Sequence, residues 1–393
     1  MKTKIAIFGS TGSIGTSTLE IIKKNFKSFS VELLSAKNNY KKLISQAIKF
    51  RAKNVIIYNE KYFYYVNKKL KKFNTKVFTE KTSLDKIIKN KIDYSMISVV
   101  GIAGLKPTLD AIPISNKILI ANKESIVCGW ELIKKKIQQY KTKLIPVDSE
   151  HFSIMNLVNE ISDKEISEII ITASGGPFLK LPTNKLKNVK PSQAIKHPKW
   201  NMGNKISIDS ANLMNKVFET IEAYHLFNFQ LKKYKIMIHP QSLVHGIIKF
   251  KNGLIKMLLH DTDMKIPISC ALYGDSYSKK NIHKTLNEKE LSKLRFYKVD
   301  KKKFPAVNLV KKYLLKGKMG PTILNGANEE LVKMFLNEKI KFTDIVQILN
   351  ELLKVKGFSK FAKKNPKVLR DIYTCDKWAR LKTISISVRY FNV

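Results

Sequence analysis

A chain of 393 residues exceeds what one hydrophobic core normally fills, so two or three domains are expected. With 44% hydrophobic and 10% aromatic residues it can build those cores, which excludes a disordered polymer. The net charge of +42 does not make it a nucleic-acid reader, because only five of its 73 basic residues are arginine (Arg51, Arg295, Arg370, Arg380, Arg389) and no helix-turn-helix, RNP or finger pattern occurs.

Met1, Lys2 and Lys4 precede an apolar run of only Ile5 to Phe8, too short for a secretion signal, so the chain is expected to open directly on a folded domain. Lys4 to Phe8 reads as a strand, and Gly9-Ser-Thr-Gly12-Ser-Ile-Gly15 opens a helix with Leu19, Ile22 and Phe26 on one face. Further strands are expected at Val31–Ser35, Asn54–Tyr58, Tyr94–Val100 and Lys117–Ile120, with helical segments between most of them. That alternation predicts an α/β fold whose N-terminal part, residues 1–147, is a Rossmann-like doubly wound domain on a parallel sheet. Tyr94 to Leu105 is the nearest approach to a membrane span and falls well short of the roughly 18 apolar residues needed. Residues 148–273 carry shorter strands (Glu168–Thr172, Lys235–His239), Gly- and Pro-bearing loops and one helix from about Ser210, predicting a central α/β catalytic domain. Residues 274–300 are polar and Lys-rich, as a linker would be, and 301–393 have the periodicity of a C-terminal helical bundle. Cys128, Cys270 and Cys375 form no Cys-x-x-Cys pair, which points away from a disulfide framework or a thiol zinc site and toward a reducing, cytoplasmic location.

Gly9, Gly12 and Gly15 lie between a strand and a helix, where backbone N–H groups and the helix dipole hold a pyrophosphate; the alternative is a tight strand-to-helix turn. An NAD enzyme carries Asp or Glu about 20 residues later, but this chain has Ser35-Ala36-Lys37-Asn38-Asn39, and a lysine there suits the 2′-phosphate of NADPH. Asp148 and Glu150 are expected at the end of a strand beginning near Lys143, where residues two apart share a face; the pair is either a solvated acidic strand end or a site for Mg²⁺ or Mn²⁺. Asp209 to Glu219 reads as one helix capped by Asp209 or Ser210, with Asn215, Lys216 and Glu219 on one face. That group is either a surface ion pair or a grip on phosphate with a third carboxylate for the metal. Ser174-Gly175-Gly176-Pro177 is either a phosphate cradle or a plain turn, and Trp200 either a lid or a core residue.

Taken in order, several blocks resemble 1-deoxy-D-xylulose 5-phosphate reductoisomerases. They are Gly9 to Gly15, Ala121-Asn122-Lys123-Glu124, Asp148-Ser149-Glu150-His151, Ala173 to Phe178 and His197 to Gly203. The series continues with Asp209 to Glu219, His239-Pro240-Gln241-Ser242 and Leu324 to Glu329, spanning nearly the whole chain. The resemblance implies conversion of 1-deoxy-D-xylulose 5-phosphate to 2-C-methyl-D-erythritol 4-phosphate for isoprenoid precursors, by a retro-aldol and aldol rearrangement and reduction by NADPH. It implies Asp148, Glu150 and Glu219 as ligands of Mg²⁺ or Mn²⁺, with Co²⁺ also accommodated, and Lys123, Glu150 and Glu219 at the reacting centre. Ser149, Ser174, His197, Trp200, Ser210, Asn215 and Lys216, with those three, would contact the sugar phosphate. Thr11, Gly12, Ser13, Ile14, Ala36, Lys37, Asn38, Asn122, Glu124 and Gly203 would contact the cofactor. Trp200 and Met202 would lie on a mobile flap, His151 would act as acid–base or merely orient Asp148, and the enzyme would be a homodimer without nucleic-acid or membrane partners. Ala36, Phe152, Val217, Gly246 and Thr262 depart from the family pattern, and Ala36 and Val217 stand where a left-handed backbone would be strained. Two other readings stay open: a plain NADP dehydrogenase, and a basic RNA-binding protein on a retired enzyme scaffold.

Overall fold

The computed structural model describes residues 2–200, 203–274 and 286–391. The chain divides into two compact units: residues 1–125, 132–152 and 263–284, and residues 126–131, 153–262 and 285–393.

The first unit is built on seven strands: β1 (Thr3–Phe8), β2 (Phe29–Ala36), β3 (Asn54–Ile57), β4 (Lys76–Phe78), β5 (Ile92–Ile97), β6 (Ser115–Ile120) and β7 (Lys143–Pro146). They pair in the order β4-β3-β2-β1-β5-β6-β7, all parallel. Ile5 to Phe8 are fully buried, so the β-branched run that marks β1 is a strand covered on both faces. Chain order reverses between β1 and β5, and at such a switch point a Rossmann-like sheet opens a crevice beyond its C-terminal strand ends. The helix Ser13–Lys24 begins there, its Leu19 and Ile22 packed in the core with Leu34, Met96 and Leu119. Phe26 falls in the 3₁₀ turn that follows rather than in the helix. The helix Lys265–Tyr273, in a stretch assigned above to the central part, belongs to this unit and adds Ile268, Ala271 and Leu272 to the same core.

The second unit holds β8 (Ile166–Ala173), β9 (Tyr234–Ile238), β10 (Val244–Phe250), β11 (Ile255–Leu259) and β12 (Tyr297–Lys298), ordered β11-β10-β8-β9-β12. Only β8 and β9 run parallel. Of the stretch expected as a linker, residues 275–285 lie outside the described residues. The rest holds the short helix Glu288–Leu291 and β12, which pairs antiparallel with β9 and so continues the sheet. Beyond it come the helices Leu309–Leu314, Gly320–Leu336, Asp344–Leu352, Phe358–Ala362 and Leu369–Phe391, with no strand among the described residues. Ala36 ends β2, Val217 lies inside the helix Met214–Phe227, and neither has a positive φ, so these departures carry no backbone strain.

Candidate active site

In the first unit the glycine loop is fixed from below. Gly9 has φ +80°, and a Cβ there would lie 2.8 Å from the Ser98 carbonyl oxygen, while one on Gly15 would lie 2.5 Å from the Gly9 carbonyl oxygen. Both positions need glycine for the chain's own packing. Gly12 differs: its nearest neighbour would be 3.4 Å away, so the bare backbone there is exposed for something other than protein to approach. Beneath the loop a buried network ties Ser10 to β2 and to the next helix. The Ser10 hydroxyl donates to Gln46 Oε1 (2.8 Å), Gln46 Nε2 donates to the Ser10 carbonyl (2.9 Å), and Gly9 N–H donates to Ser35 Oγ (3.1 Å). Thr11 and Ile14 are half-buried, and Ser13 is exposed at the helix start. Lys37 and Asn38 are exposed beyond the end of β2, whereas Ala36 is buried.

At the end of β6, Asn122 caps the helix Lys123–Tyr140 by accepting from Ser125 N–H (2.7 Å). Its Nδ2 donates to the carbonyls of Val99 (2.6 Å) and Gly101 (3.0 Å) and to Glu124 Oε2 (3.1 Å). Asn122 and Glu124 are buried, so their first task is to brace the loop after β5 against this helix. Lys123, half-buried on the first turn, is close enough to Asp148 to act on its ionisation.

The sequence placed Asp148 and Glu150 on a strand; instead β7 stops at Pro146 and the helix Ser149–Leu157 begins. The two carboxylates therefore do not share a face by strand periodicity. Asp148 acts at the helix start, accepting from His151 N–H (3.0 Å) and meeting His151 Nδ1 at 2.7 Å. Burial opposes its charge, but the His151 ring, its hydrogen bond and Lys123 together hold the Asp148 carboxyl below the usual range. Ser149 donates to Glu150 Oε2 at 2.6 Å.

The second unit carries the other expected residues. The single helix anticipated over Asp209 to Glu219 is two: Asn204–Ala211 and Met214–Phe227. Leu213 joins them at φ 65°, in the left-handed region, and Asn212 Oδ1 accepts from Met214 N–H (2.9 Å). Asp209 and Ser210 are thus in a last turn rather than at an N-cap, and nothing in the sequence marks a leucine for that conformation. Asn215, Lys216 and Glu219 do share a face, with Asn215 Nδ2 and Lys216 Nζ each 2.5 Å from a Glu219 oxygen. Lys216 is 7% and Glu219 1% exposed, so this is a buried ion pair and not a surface one.

The loop after β8 packs on the turn that carries Ser210: Gly175 and Gly176 both have positive φ, and a Cβ on Gly176 would lie 2.8 Å from the Ser210 carbonyl oxygen. Ser174 Oγ lies 2.9 Å from His197 Nε2 and 3.2 Å from Gly176 N. His197 Nδ1 receives the N–H groups of Lys199 (3.2 Å) and Trp200 (2.9 Å), so the ring proton sits on Nε2 and is donated to Ser174. Burial, reinforced by Lys216, lowers the His197 pKa to about 4 and keeps the ring neutral. With two donors already facing its oxygen, the Ser174 hydroxyl is left to donate. Trp200 is half-buried and forms a T-shaped pair with the His245 ring, centroids 6.3 Å apart. Gly203 is the N-cap of the helix Asn204–Ala211 with open space around it, and Met202 lies outside the described residues.

Three family models match: "1-deoxy-D-xylulose 5-phosphate reductoisomerase" over residues 5–129, its C-terminal domain over 144–227, and "DXP reductoisomerase C-terminal domain" over 259–382. The reductoisomerase of Pelagibacter ubique is 48% identical over 98% of this chain and 100% of its own length. The Zymomonas mobilis enzyme, solved in complex with NADPH, superposes with a TM-score of 0.90 at 33% identity, covering 98% of this chain and 99% of that one. A further DOX-P reductoisomerase, in complex with NADPH, fosmidomycin and magnesium, gives 0.89 at 32% identity, covering 98% of each chain. Fold and length agree over nearly the whole chain, and it belongs to the 1-deoxy-D-xylulose 5-phosphate reductoisomerase family.

Proposed function

We propose that this chain rearranges and reduces 1-deoxy-D-xylulose 5-phosphate to 2-C-methyl-D-erythritol 4-phosphate, in the non-mevalonate route to isoprenoid precursors. The observation that carries this reading is the anion cradle of the second unit. A hydroxyl with its proton free to donate (Ser174), a neutral histidine behind it (His197) and a buried lysine (Lys216) are what a phosphate dianion requires. Ser210 and Asn215 complete the cradle, and a plain dehydrogenase has no use for it.

In this assignment residues 1–147 bind NADPH, 148–273 carry the reacting centre and flap, and 301–393 form the helical part, with β12 joining the stretch before it to the second sheet. Thr11 to Ile14 meet the pyrophosphate, Ala36, Lys37 and Asn38 the 2′-phosphate, and Asn122, Glu124 and Gly203 the remainder of the cofactor. NADPH supplies the hydride. Asp148, Glu150 and Glu219 offer only carboxylate oxygens, the donor set of Mg²⁺ or Mn²⁺, with Co²⁺ tolerated, and Asp148 is held in the anionic state that a cation needs. When bound, the cation polarises the substrate's ketone as a Lewis acid. Lys123 and Ser149 orient the reacting sugar, and Trp200 covers it. His151, bonded through Nδ1 to Asp148, orients that carboxylate rather than serving as the acid–base.

A homodimer is supported by β11, the outer strand of the second sheet, whose Ile255 and Met257 are 51% and 42% exposed on one face. Free cysteines, two of them buried, fit a cytoplasmic enzyme, and no described helix is long and apolar enough to cross a membrane. NADPH oxidation followed with and without 1-deoxy-D-xylulose 5-phosphate and Mg²⁺ or Mn²⁺ tests the function. Turnover should require both, and substrate-independent turnover or none at all would refute it.

A further inference from the structure

We propose that Asn59, outside every residue assigned above, is a positioning residue that sets the preference for a 2′-phosphorylated cofactor. It does so by turning Asn38 into an amide that can only donate toward the ligand. The inference rests on the reading that Lys37 and Asn38 face the 2′-phosphate.

The ladder between β2 and β3 continues past both strands: Tyr58 N–H donates to the Ala36 carbonyl (3.0 Å) and Asn59 N–H to the Lys37 carbonyl (3.2 Å). This places the Asn59 side chain beside that of Asn38. Asn59 Oδ1 accepts from Lys61 N–H (3.3 Å), and a backbone N–H has only a proton to offer, so the orientation of the Asn59 amide is fixed. Its Nδ2 then donates to Asn38 Oδ1 at 3.0 Å. Asn38 is held in turn by its own backbone, whose carbonyl accepts from Tyr40 N–H at 2.8 Å. With its oxygen engaged by Asn59, Asn38 presents its NH₂ group outward.

The chemistry of the ligand gives this direction a meaning. A 2′-phosphate dianion only accepts, whereas a ribose 2′-hydroxyl either donates or accepts. An amide free to flip serves both, showing its NH₂ to one and its oxygen to the other. An amide locked with NH₂ outward keeps the phosphate contact at full occupancy and removes the acceptor that would favour the hydroxyl. Lys37 contributes charge, which attracts every phosphate of the cofactor; the relay Lys61–Asn59–Asn38 contributes direction.

Two substitutions separate direction from charge. Asn59→Leu frees the Asn38 amide without adding charge. Asn59→Asp keeps the shape but presents only acceptors, so Asn38 must turn its NH₂ inward and its oxygen toward the ligand. The readouts are the ratio of kcat/KM for NADPH over NADH, and direct titration with 2′,5′-ADP and with 5′-AMP, at salt between about 0.05 and 0.5 M. Asn59→Leu should lower the ratio about 3- to 10-fold, the worth of one net hydrogen bond, with the change confined to the KM for NADPH. Asn59→Asp should lower it at least as far and keep that loss at high salt, because a flipped amide is not screened, and 5′-AMP affinity should hold while 2′,5′-ADP affinity falls. If both variants keep the wild-type ratio while Asn38→Ala lowers it, the inference is overturned and the assignment of Asn38 stands. If Lys37→Ala and Asn38→Ala also leave it unchanged, the assignment fails and the inference with it. Melting temperatures within those of surface variants exclude misfolding as the cause.

Discussion

Leu213 offers a test in which two opposed energies can be separated. It sits between the helices Asn204–Ala211 and Met214–Phe227 at φ 65°, ψ 14°, a conformation that costs an L-residue with a Cβ about 1–2 kcal/mol. Its carbonyl accepts from Lys216 N–H (3.1 Å) and Val217 N–H (3.2 Å), so this one residue sets the direction in which the second helix starts. The side chain is 1% exposed and packs with Ala173, Ile238 and Phe304, which explains why leucine is kept where glycine or asparagine would be unstrained. Removing it should cost about 2–5 kcal/mol, as for other buried leucines cut to alanine. Leu213→Ala bears that cost and retains the strain. Leu213→Gly bears the same loss of packing and sheds the strain, at the expense of about 0.4–1 kcal/mol of extra unfolded-state entropy. The glycine variant should therefore be the more stable of the two by about 1 kcal/mol, the reverse of the order inside a helix. In a unit of this size that is roughly 2–4 °C in melting temperature, read by scanning fluorimetry on wild type and both variants together. Because Asn215, Lys216 and Glu219 follow directly, the glycine hinge should also lower kcat/KM for the sugar phosphate beyond what its stability explains. An alanine variant more stable than the glycine one, by about 0.4–1 kcal/mol, would show that no strain is held at this junction.

Three further outcomes follow from the site. Asp148→Asn removes one anionic oxygen with little change of shape, so Mn²⁺ affinity should fall by more than the ~10- to 100-fold typical of a lost supporting contact, while NADPH titration stays near wild type. Unchanged Mn²⁺ affinity would exclude Asp148 as a ligand. His197, its pKa lowered to about 4, should stay neutral through the working range; its contribution to stability is complete above the ordinary value of 6.5 and lost as pH falls through 4. An imidazole NMR titration with a midpoint between 6 and 7 would contradict this. Met257→Lys puts a charge on the exposed face of β11 and should shift sedimentation from dimer toward monomer with the fold retained, whereas an unaltered dimer would locate the interface elsewhere.

How far the sequence reached depended on whether a residue's meaning was local. The first sheet was legible because β-branched runs at β1, β2, β3, β5 and β6 are buried on both faces and stand out from the lysines around them. β4 was missed because three residues cannot show a period. In the second sheet β11 keeps Lys256 among exposed apolar side chains and so shows no clean alternation, and β12 is two residues held only by its pairing to β9. Asp148 to Glu150 misled for a physical reason: a strand end and a helix start both favour short polar residues, and only the hydrogen bond from His151 back to Asp148 decides between them. The same limit governs Asp209 to Glu219, where the sequence supports helix throughout and the break depends on the left-handed backbone of a leucine. The spacing of Asn215, Lys216 and Glu219 survived because three- and four-residue separations share a face in any helix. Their burial did not follow from spacing, yet it changes the chemistry most. An exposed Lys–Glu pair is worth little, whereas a buried one holds two charges in a fixed geometry away from water. The role proposed for this segment rests on residue types that the sequence shows, and the burial of its ion pair is visible only in the packing around them.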